Sequence, residues 1–228
     1  MNIERPRKRS VRALAMLAAL LVLGTKAHAW PTVPLPPDSR GELVSSHMKY
    51  NGLDMRASKF SVPAAVEDVV AFYAAKWPGR HVVDKVGDKT IVGRADGAHY
   101  VTVELTSSGG GTDGTIGIIR LPRDGEVPEL GKGFYVPAGT EVLSDIVHLD
   151  TPNQTRTLVL SNGLSPYVNQ LHYARHLRGN GWKASRGSAC RPSERECVAS
   201  FEHPSGGRML LTMTRGDGIE TTTVVNVE

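Results

Sequence analysis

Two parts of the sequence correspond at an offset of one hundred residues, and this correspondence limits the possible folds more than any other feature. Residues 61–77 and 161–177 both read as amphipathic helices preceded by extended sequence. Short β-branched runs follow each helix, and each series includes an Asp-Gly pair typical of hairpins, Asp113-Gly114 or Asp217-Gly218. The pattern predicts one unit of strand, strand, helix and three antiparallel strands that occurs twice.

The fold class that this pattern predicts is α+β, with two tandem pseudo-repeated modules. Each module is expected to be an antiparallel sheet of four to five strands with one helix packed on it. The modules cover residues 43–121 and 140–228. A proline-rich N-terminal segment, residues 30–42, precedes the first module, and a linker, residues 122–139, joins it to the second.

Helical spacing predicts which side of each helix is buried. Ser61 and Ser165 stand where N-caps are expected, each followed by a proline near the first turn. The buried side chains are expected to be Val66, Val70, Tyr73 and Trp77 in the first helix, and Leu171, Tyr173, Ala174 and Leu177 in the second.

Residues 1–29 have the layout of a secretory signal peptide. A basic stretch precedes the uncharged residues 13–24, and Ala27-His28-Ala29 then offers small residues at the two positions that signal peptidase reads. The apolar run is shorter than the roughly 20 residues that cross a membrane. Cleavage near Ala29 predicts a periplasmic or secreted protein without a membrane span, and an uncleaved N-terminal anchor is the alternative.

Removal of this segment changes the charge of the chain. The whole sequence has a net charge of +4, but residues 1–29 hold six basic side chains and one acidic one. The remaining 199 residues therefore have a net charge of −1. Proteins that track phosphates need a dense cationic surface. The near-neutral mature chain argues against nucleic acid as a partner.

Cys190 and Cys197 are the two cysteines of the chain, and six residues separate them. In an exported protein such a pair is most simply a disulfide. Closing so short a loop stabilises a fold by about 2–3 kcal/mol in the entropic treatment. Zinc would need more ligands than two thiolates, and a redox pair usually has two intervening residues, so a structural disulfide is the preferred interpretation.

His172 and His176 lie one turn apart on the second helix, a spacing that suits zinc. The residue after the first histidine is Tyr173, whereas a metalloprotease has a glutamate there as general base. A third ligand would have to be His148, His203 or a carboxylate. We interpret the pair as flank histidines, keep them as weak metal candidates, and predict no cofactor.

Catalytic signatures are not found in the sequence. It has no Gly-x-Ser-x-Gly elbow, and the glycine-rich residues 107–114 do not continue into the Gly-Lys-Ser/Thr of a phosphate loop. That stretch is predicted to be a hairpin connection. No catalytic residue is assigned, and a non-enzymatic protein is favoured.

Two segments are candidate partner-binding surfaces. Phe134 and Tyr135 are unusually apolar for a linker, and we expect them to tuck between the modules or to dock a partner. Arg191 and Arg195 lie in the charged loop that the disulfide closes. That loop is either a solvated turn or a rigid element that a partner recognises.

Three hypotheses about function follow. The first is a periplasmic protein-interaction module, an accessory of an envelope assembly such as a pilus or secretion machine, because free sheet edges accept strands from partners. The second is an inhibitor or immunity-type protein of an exported hydrolase, which inserts a loop into a cleft. The third is a small-ligand-binding protein or enzyme with a pocket near His172 and His176, to which Arg156 and Tyr173 contribute.

Overall fold

A computed structural model describes residues 29–123, 125–187 and 189–228. The predicted signal peptide, apart from Ala29, lies outside these residues. Within the described part of the chain, no helix is both long and apolar enough to cross a membrane.

Strands dominate the structure, and one helix interrupts them in each half of the chain. We call residues 29–121 the first half and residues 122–228 the second half. The first half contains β1 (Arg40–Tyr50), β2 (Leu53–Val62), α1 (Val66–Lys76), β3 (Val82–Val86), β4 (Lys89–Asp96), β5 (His99–Ser108) and β6 (Gly111–Arg120). The second half contains β7 (Glu141–His148), β8 (Thr155–Asn162), α2 (Pro166–Gly179), β9 (Lys183–Ala184), β10 (Glu196–Glu202), β11 (Arg208–Arg215) and β12 (Thr221–Val227).

The prediction of two modules, each with its own four- to five-stranded sheet, is wrong. All twelve strands form one antiparallel sheet in the order β3-β4-β5-β6-β2-β1-β7-β8-β12-β11-β10-β9. Each half contributes six strands, and the central pair β1–β7 joins them. Reading outward from that pair, the order of strands along the chain is the same in both halves. Duplication of a sequence unit, our explanation for this order, stays a prediction.

A short stretch of main-chain pairing holds the halves together, and we call it the seam. Its register pairs are Met48 with His148, Lys49 with Val147 and Tyr50 with Ile146. Hydrogen bonds continue on both sides, from Asn51 N to Asp145 O at 2.7 Å and from Leu149 N to His47 O at 3.0 Å. The single sheet arises because these strand edges satisfy each other instead of remaining open to water.

Both helices cover the same face of the sheet. Directly paired residues of antiparallel strands share a face, and alternate residues along one strand also do. A continuous path of such neighbours runs from Ile118 under α1 through Lys49 and Val147 to Leu158 under α2. Among the described residues no helix lies on the opposite face of the sheet, and we call it the helix-free face.

The apolar core is divided into two clusters, one under each helix. The first surrounds Tyr73 and Trp77, with buried valines and isoleucines from β4, β5 and β6. The second surrounds Tyr173 and Phe201. The predicted proline-rich segment also takes part, because Trp30 and Val33 pack against the first cluster and the Tyr73 hydroxyl donates to Pro34 O at 3.1 Å.

The start of α1 differs from the prediction. Ser61 belongs to β2, and the N-cap of α1 is Ala65, whose side chain makes no capping hydrogen bond. Val69, Tyr73 and Trp77 are buried, whereas the predicted Val66 and Val70 are only half-buried. Acidic residues in the first turn and a lysine in the last favour the helix dipole.

In α2 the predicted cap is confirmed, because the Ser165 hydroxyl accepts from Val168 N at 3.3 Å. The predicted buried side chain Leu171 is exposed. Asn169 is buried instead, and its amide exchanges hydrogen bonds of 2.8 and 2.9 Å with the amide of Asn162 on β8. Hydrophobic spacing alone does not reveal a polar pair that satisfies itself inside the core.

Only one of the two Asp-Gly pairs forms a turn. Asp217-Gly218 lies between β11 and β12 as predicted, whereas Asp113-Gly114 lies inside β6. The hairpin between β5 and β6 turns at Gly109 and Gly110. Gly114 is needed within the strand for a different reason, because the Phe60 ring occupies the space that a Cβ atom would take.

Candidate functional site

His172 and His176 lie on α2, but the structure gives them no third metal ligand. The His176 ring stacks on the Tyr135 ring, with centroids 4.0 Å apart and planes inclined by 6°. His172 is half-buried on the flank of the helix. Across the described residues, no group of three or more His, Cys, Asp or Glu side chains is arranged to hold a metal ion.

Phe134 and Tyr135 pack onto α2 of their own half. Their ring centroids lie 6.1 and 5.9 Å from that of Tyr173, and both side chains are half-buried against the second core cluster. The residues before β7 therefore cover one side of α2. Their role in docking a partner stays a prediction.

The predicted disulfide is confirmed, with 5.5 Å between the Cα atoms of Cys190 and Cys197. Within the loop, Arg191 N donates to Glu194 Oε2 at 2.9 Å. Arg195 donates to the main-chain oxygens of Arg215 and Gly216 and forms an ion pair with Asp217 at 3.3 Å. Arg195 thus ties the loop to the β11–β12 turn, while the Arg191 side chain is exposed.

A buried carboxylate, Asp145, lies at one end of the seam. It accepts from Arg156 Nε at 2.8 Å and Nη2 at 2.7 Å, and from Gly131 N at 2.9 Å. Burial opposes ionisation of Asp145, but the hydrogen bonds from Arg156 and Gly131 and the charge of Arg156 outweigh it and lower the pKa. The Asn51 side chain accepts from Asp145 N at 2.8 Å, which connects the β1–β2 turn to this group.

A second carboxylate, Asp150, lies at the other end of the seam. It accepts from Ser46 N at 2.6 Å, from the Ser45 hydroxyl at 2.9 Å and from the Ser46 hydroxyl at 3.0 Å. The Ser46 N–H in particular lowers the pKa of Asp150 to about 2. The two aspartates are structural. The Asp150 carboxylate bonds across the junction to Ser45 and Ser46, whereas the Asp145 carboxylate is held within the second half and its main chain bonds to Asn51 of the first half.

The strand β3, at the outer edge of the first half, is exposed along its whole length. β3 pairs only with β4 within the described sheet, and all five of its residues are exposed. Three of them are valines, with exposed fractions of 61% for Val82, 46% for Val83 and 57% for Val86. A strand edge with exposed β-branched side chains offers both main-chain groups and apolar contacts to an added strand.

A groove among the described residues lies away from the predicted histidine pocket. It has a volume of about 610 Å³ and lies on the helix-free face of the second half. Its lining extends from His148 on β7 to Ser200 on β10. Of the four residues proposed to line a pocket, only Arg156 borders this groove. Tyr173 is buried in the core, and His172 and His176 lie on α2 on the other face. The structure therefore does not bring these four residues together in one pocket.

Neither the β3 edge nor the groove was predicted from the sequence. The β3 edge had a usable signal, a short valine-rich run broken by Asp84 and Lys85, since charges are common on exposed edge strands. The groove had a weaker one, the polar residues that recur at alternate positions of β8 and β12. Neither signal specifies a ligand or a partner.

Searches of protein-family models, curated proteins and solved structures find no match for this chain.

Proposed function

We propose that this chain is an exported, periplasmic protein-interaction module that binds an extended segment of an envelope partner along β3. The observation that carries the proposal is the exposure of every residue of β3 at the outer edge of the sheet. The Cys190–Cys197 disulfide supports the export, because disulfides persist in oxidising compartments. The layout of residues 1–29 supports the same route.

The partner segment is an apolar strand rather than a second copy of β3. Suppose that two copies of β3 pair about a two-fold axis perpendicular to the sheet. Even-numbered residues then lie opposite even-numbered residues, and odd-numbered residues lie opposite odd-numbered ones. The central such register places Asp84 opposite Asp84, and like charges in that position are unfavourable. A foreign strand with β-branched side chains opposite the valines, and an acid near Lys85, avoids this conflict.

Photo-crosslinking in cells locates the partner. A benzoyl-phenylalanine placed at Val83 should yield one discrete adduct, and the double change Val82→Lys and Val86→Lys should abolish it. Val198→Lys is the matched control, because Val198 is also an exposed valine, at 55%, but lies in the interior strand β10. Adduct formation that survives the β3 changes, or that is lost equally with the control, contradicts the proposal.

A peptide covering the crosslinked segment then tests the mode of binding with purified protein. Strand addition depends on main-chain hydrogen bonds, so methylation of alternate peptide nitrogens should weaken binding by about tenfold or more. Methylation of the intervening nitrogens, which point away from β3, should leave affinity nearly unchanged. Equal effects of the two methylation patterns contradict strand addition.

A further inference from the structure

The helix-free face is open in the second half, where it forms the groove of about 610 Å³. Its floor is a row of side chains that crosses four strands. Thr157 on β8 pairs with Asn226 on β12, which pairs with Leu210 on β11, which pairs with Ser200 on β10. All four side chains point to the same face because directly paired residues of an antiparallel sheet do so.

The corresponding row of the first half is covered by the protein itself. It runs through Ala57, Gly117, Thr102 and Gly93 on the strands β2, β6, β5 and β4. The Tyr100 hydroxyl lies 2.5 Å from where a Cβ atom of Gly93 would be, and Met55 Cε lies 2.9 Å from the same point on Gly117. The two glycines therefore make room for Tyr100 and Met55, which lie flat on the sheet.

The second half has neither the glycines nor the covering side chains. By register, Arg208 stands where the first half has Tyr100, and Thr155 stands where it has Met55. Arg208 does not lie over the floor but pairs with Glu228. The groove is thus not a necessary result of the strand arrangement. It exists because polar residues replace the ones that fill the same place in the other half.

The groove is polar but carries little net charge. The Arg156 side chain points to the helix-covered face, where it pairs with Asp145, so Arg208, Glu202 and Glu228 are the guanidinium and carboxylate side chains on the groove side. Arg208 is paired with Glu228, and the remaining carboxylate, Glu202, is exposed to water. The lining therefore does not attract an anion, and one exposed carboxylate attracts a cation only weakly.

Hydroxyl and amide groups provide most of the remaining polar atoms. They come from Thr155, Thr157, Ser185, Ser200 and Asn226, and such groups both donate and accept hydrogen bonds. Leu210 is the apolar part of the floor row. A ligand that fits this lining is uncharged, rich in groups that donate and accept, and apolar on part of one side. The volume is within the roughly 300–1,000 Å³ range of small-molecule sites.

We infer that this groove binds a short neutral oligosaccharide. The inference is independent of β3, which lies at the far edge of the first half. Isotope-labelled protein is titrated with N,N′-diacetylchitobiose and with maltotriose, and amide chemical shifts are followed by NMR. Saturable shifts confined to β8, β10, β11 and β12 with at least one of the two saccharides are the expected result. N-acetyl-trialanine amide and inorganic phosphate serve as probes of the competing ligand classes.

A filling variant tests the location of the site. The changes Thr155→Met, Ser200→Gly, Arg208→Tyr and Asn226→Gly install the residues that the first half has at the same positions, and they should abolish saccharide binding. Thr222→Met is the matched control, since Thr222 is exposed on the same face of β12 outside the groove. The single changes Ser200→Ala and Asn226→Ala should each weaken binding about 2- to 10-fold without disturbing the fold.

Three results overturn the inference. The first is no saturable shift with either saccharide at millimolar concentration. The second is saccharide binding that the single changes in the groove leave as strong as in Thr222→Met. The third is saturation of the groove by the peptide or by phosphate at lower concentration than by either saccharide. The single alanine variants keep the test decisive if the filling variant does not fold.

Discussion

Tyr73 and Tyr173 are buried at corresponding positions of α1 and α2, but within the described part of the chain only the hydroxyl of Tyr73 has a hydrogen bond. It donates to Pro34 O at 3.1 Å, whereas the Tyr173 hydroxyl has no partner among the described residues. Burial raises the pKa of both phenols, so both stay neutral at physiological pH. The two rings thus share a packing role and differ in how their polar atom is satisfied.

This difference predicts opposite results for one substitution. Tyr73→Phe should lower the free energy of unfolding by about 1 kcal/mol, because it removes a hydrogen bond and leaves Pro34 O unpaired. Tyr173→Phe should leave stability unchanged or raise it slightly, since it removes a buried hydroxyl that has no partner. Urea unfolding followed by circular dichroism measures both. Equal losses in the two variants would show that the Tyr173 hydroxyl is bound in solution.

Removal of the Arg156 side chain should destabilise the protein strongly. Arg156→Ala leaves the carboxylate of Asp145, which is 5% exposed, without its ion pair. The expected loss in the free energy of unfolding is about 3 kcal/mol. Arg175→Ala, at an exposed position of α2, is the control and should change stability by less than about 0.5 kcal/mol. A similar loss in the free energy of unfolding of the control would show that the effect is not specific to the buried ion pair.

Acid should weaken the seam through Asp150. Its pKa is lowered from 3.8 to about 2 in the folded protein, so the ionised carboxylate contributes stability that is fully present above about pH 4. That contribution is lost as the pH falls toward 2. The Asp150→Asn variant should therefore show a smaller drop in melting temperature than the wild type between pH 5 and pH 2. Identical drops in the two proteins would exclude Asp150 as a source of the acid sensitivity.

The helix caps offer a reciprocal test. Ser165→Ala should destabilise the protein by about 1 kcal/mol, because the α2 cap loses its hydrogen bond to Val168 N. Ala65→Ser should stabilise it by up to a similar amount, because α1 has no side-chain cap and Ala65 already has the extended backbone of an N-cap. Thermal unfolding compares the two variants with the wild type. A loss of stability in Ala65→Ser would show that the α1 terminus has no room for a cap.

Local structure was largely predictable from the sequence. The amphipathic spacing located both helices within a few residues, Ser165 marked the start of α2, and the cysteine pair identified the disulfide. Each of these signals lies within a short stretch of chain. Such signals depend on local periodicity or on one residue type with a strong preference, so neighbouring residues are enough to reveal them.

The joining of the halves was not predictable in the same way. β1 and β7 lie about one hundred residues apart, and their contact is made of main-chain hydrogen bonds, with two serines and Asp150 at one end and Asn51 at the other. Such groups carry no hydrophobic pattern that marks them as paired. The groove was hidden for a related reason, because it appears only when the residues of β8, β12, β11 and β10 are aligned by register.

The narrow seam has a consequence for cooperativity. Each helix packs over its own apolar cluster, and the halves meet through backbone pairing, the Asn51 side chain and the Asp150 carboxylate. Little apolar surface is shared, so loss of one cluster removes little of the free energy that maintains the other. Heating should therefore melt the molecule in two calorimetric steps, with a partly folded species between them that keeps one helix and about half of the strands.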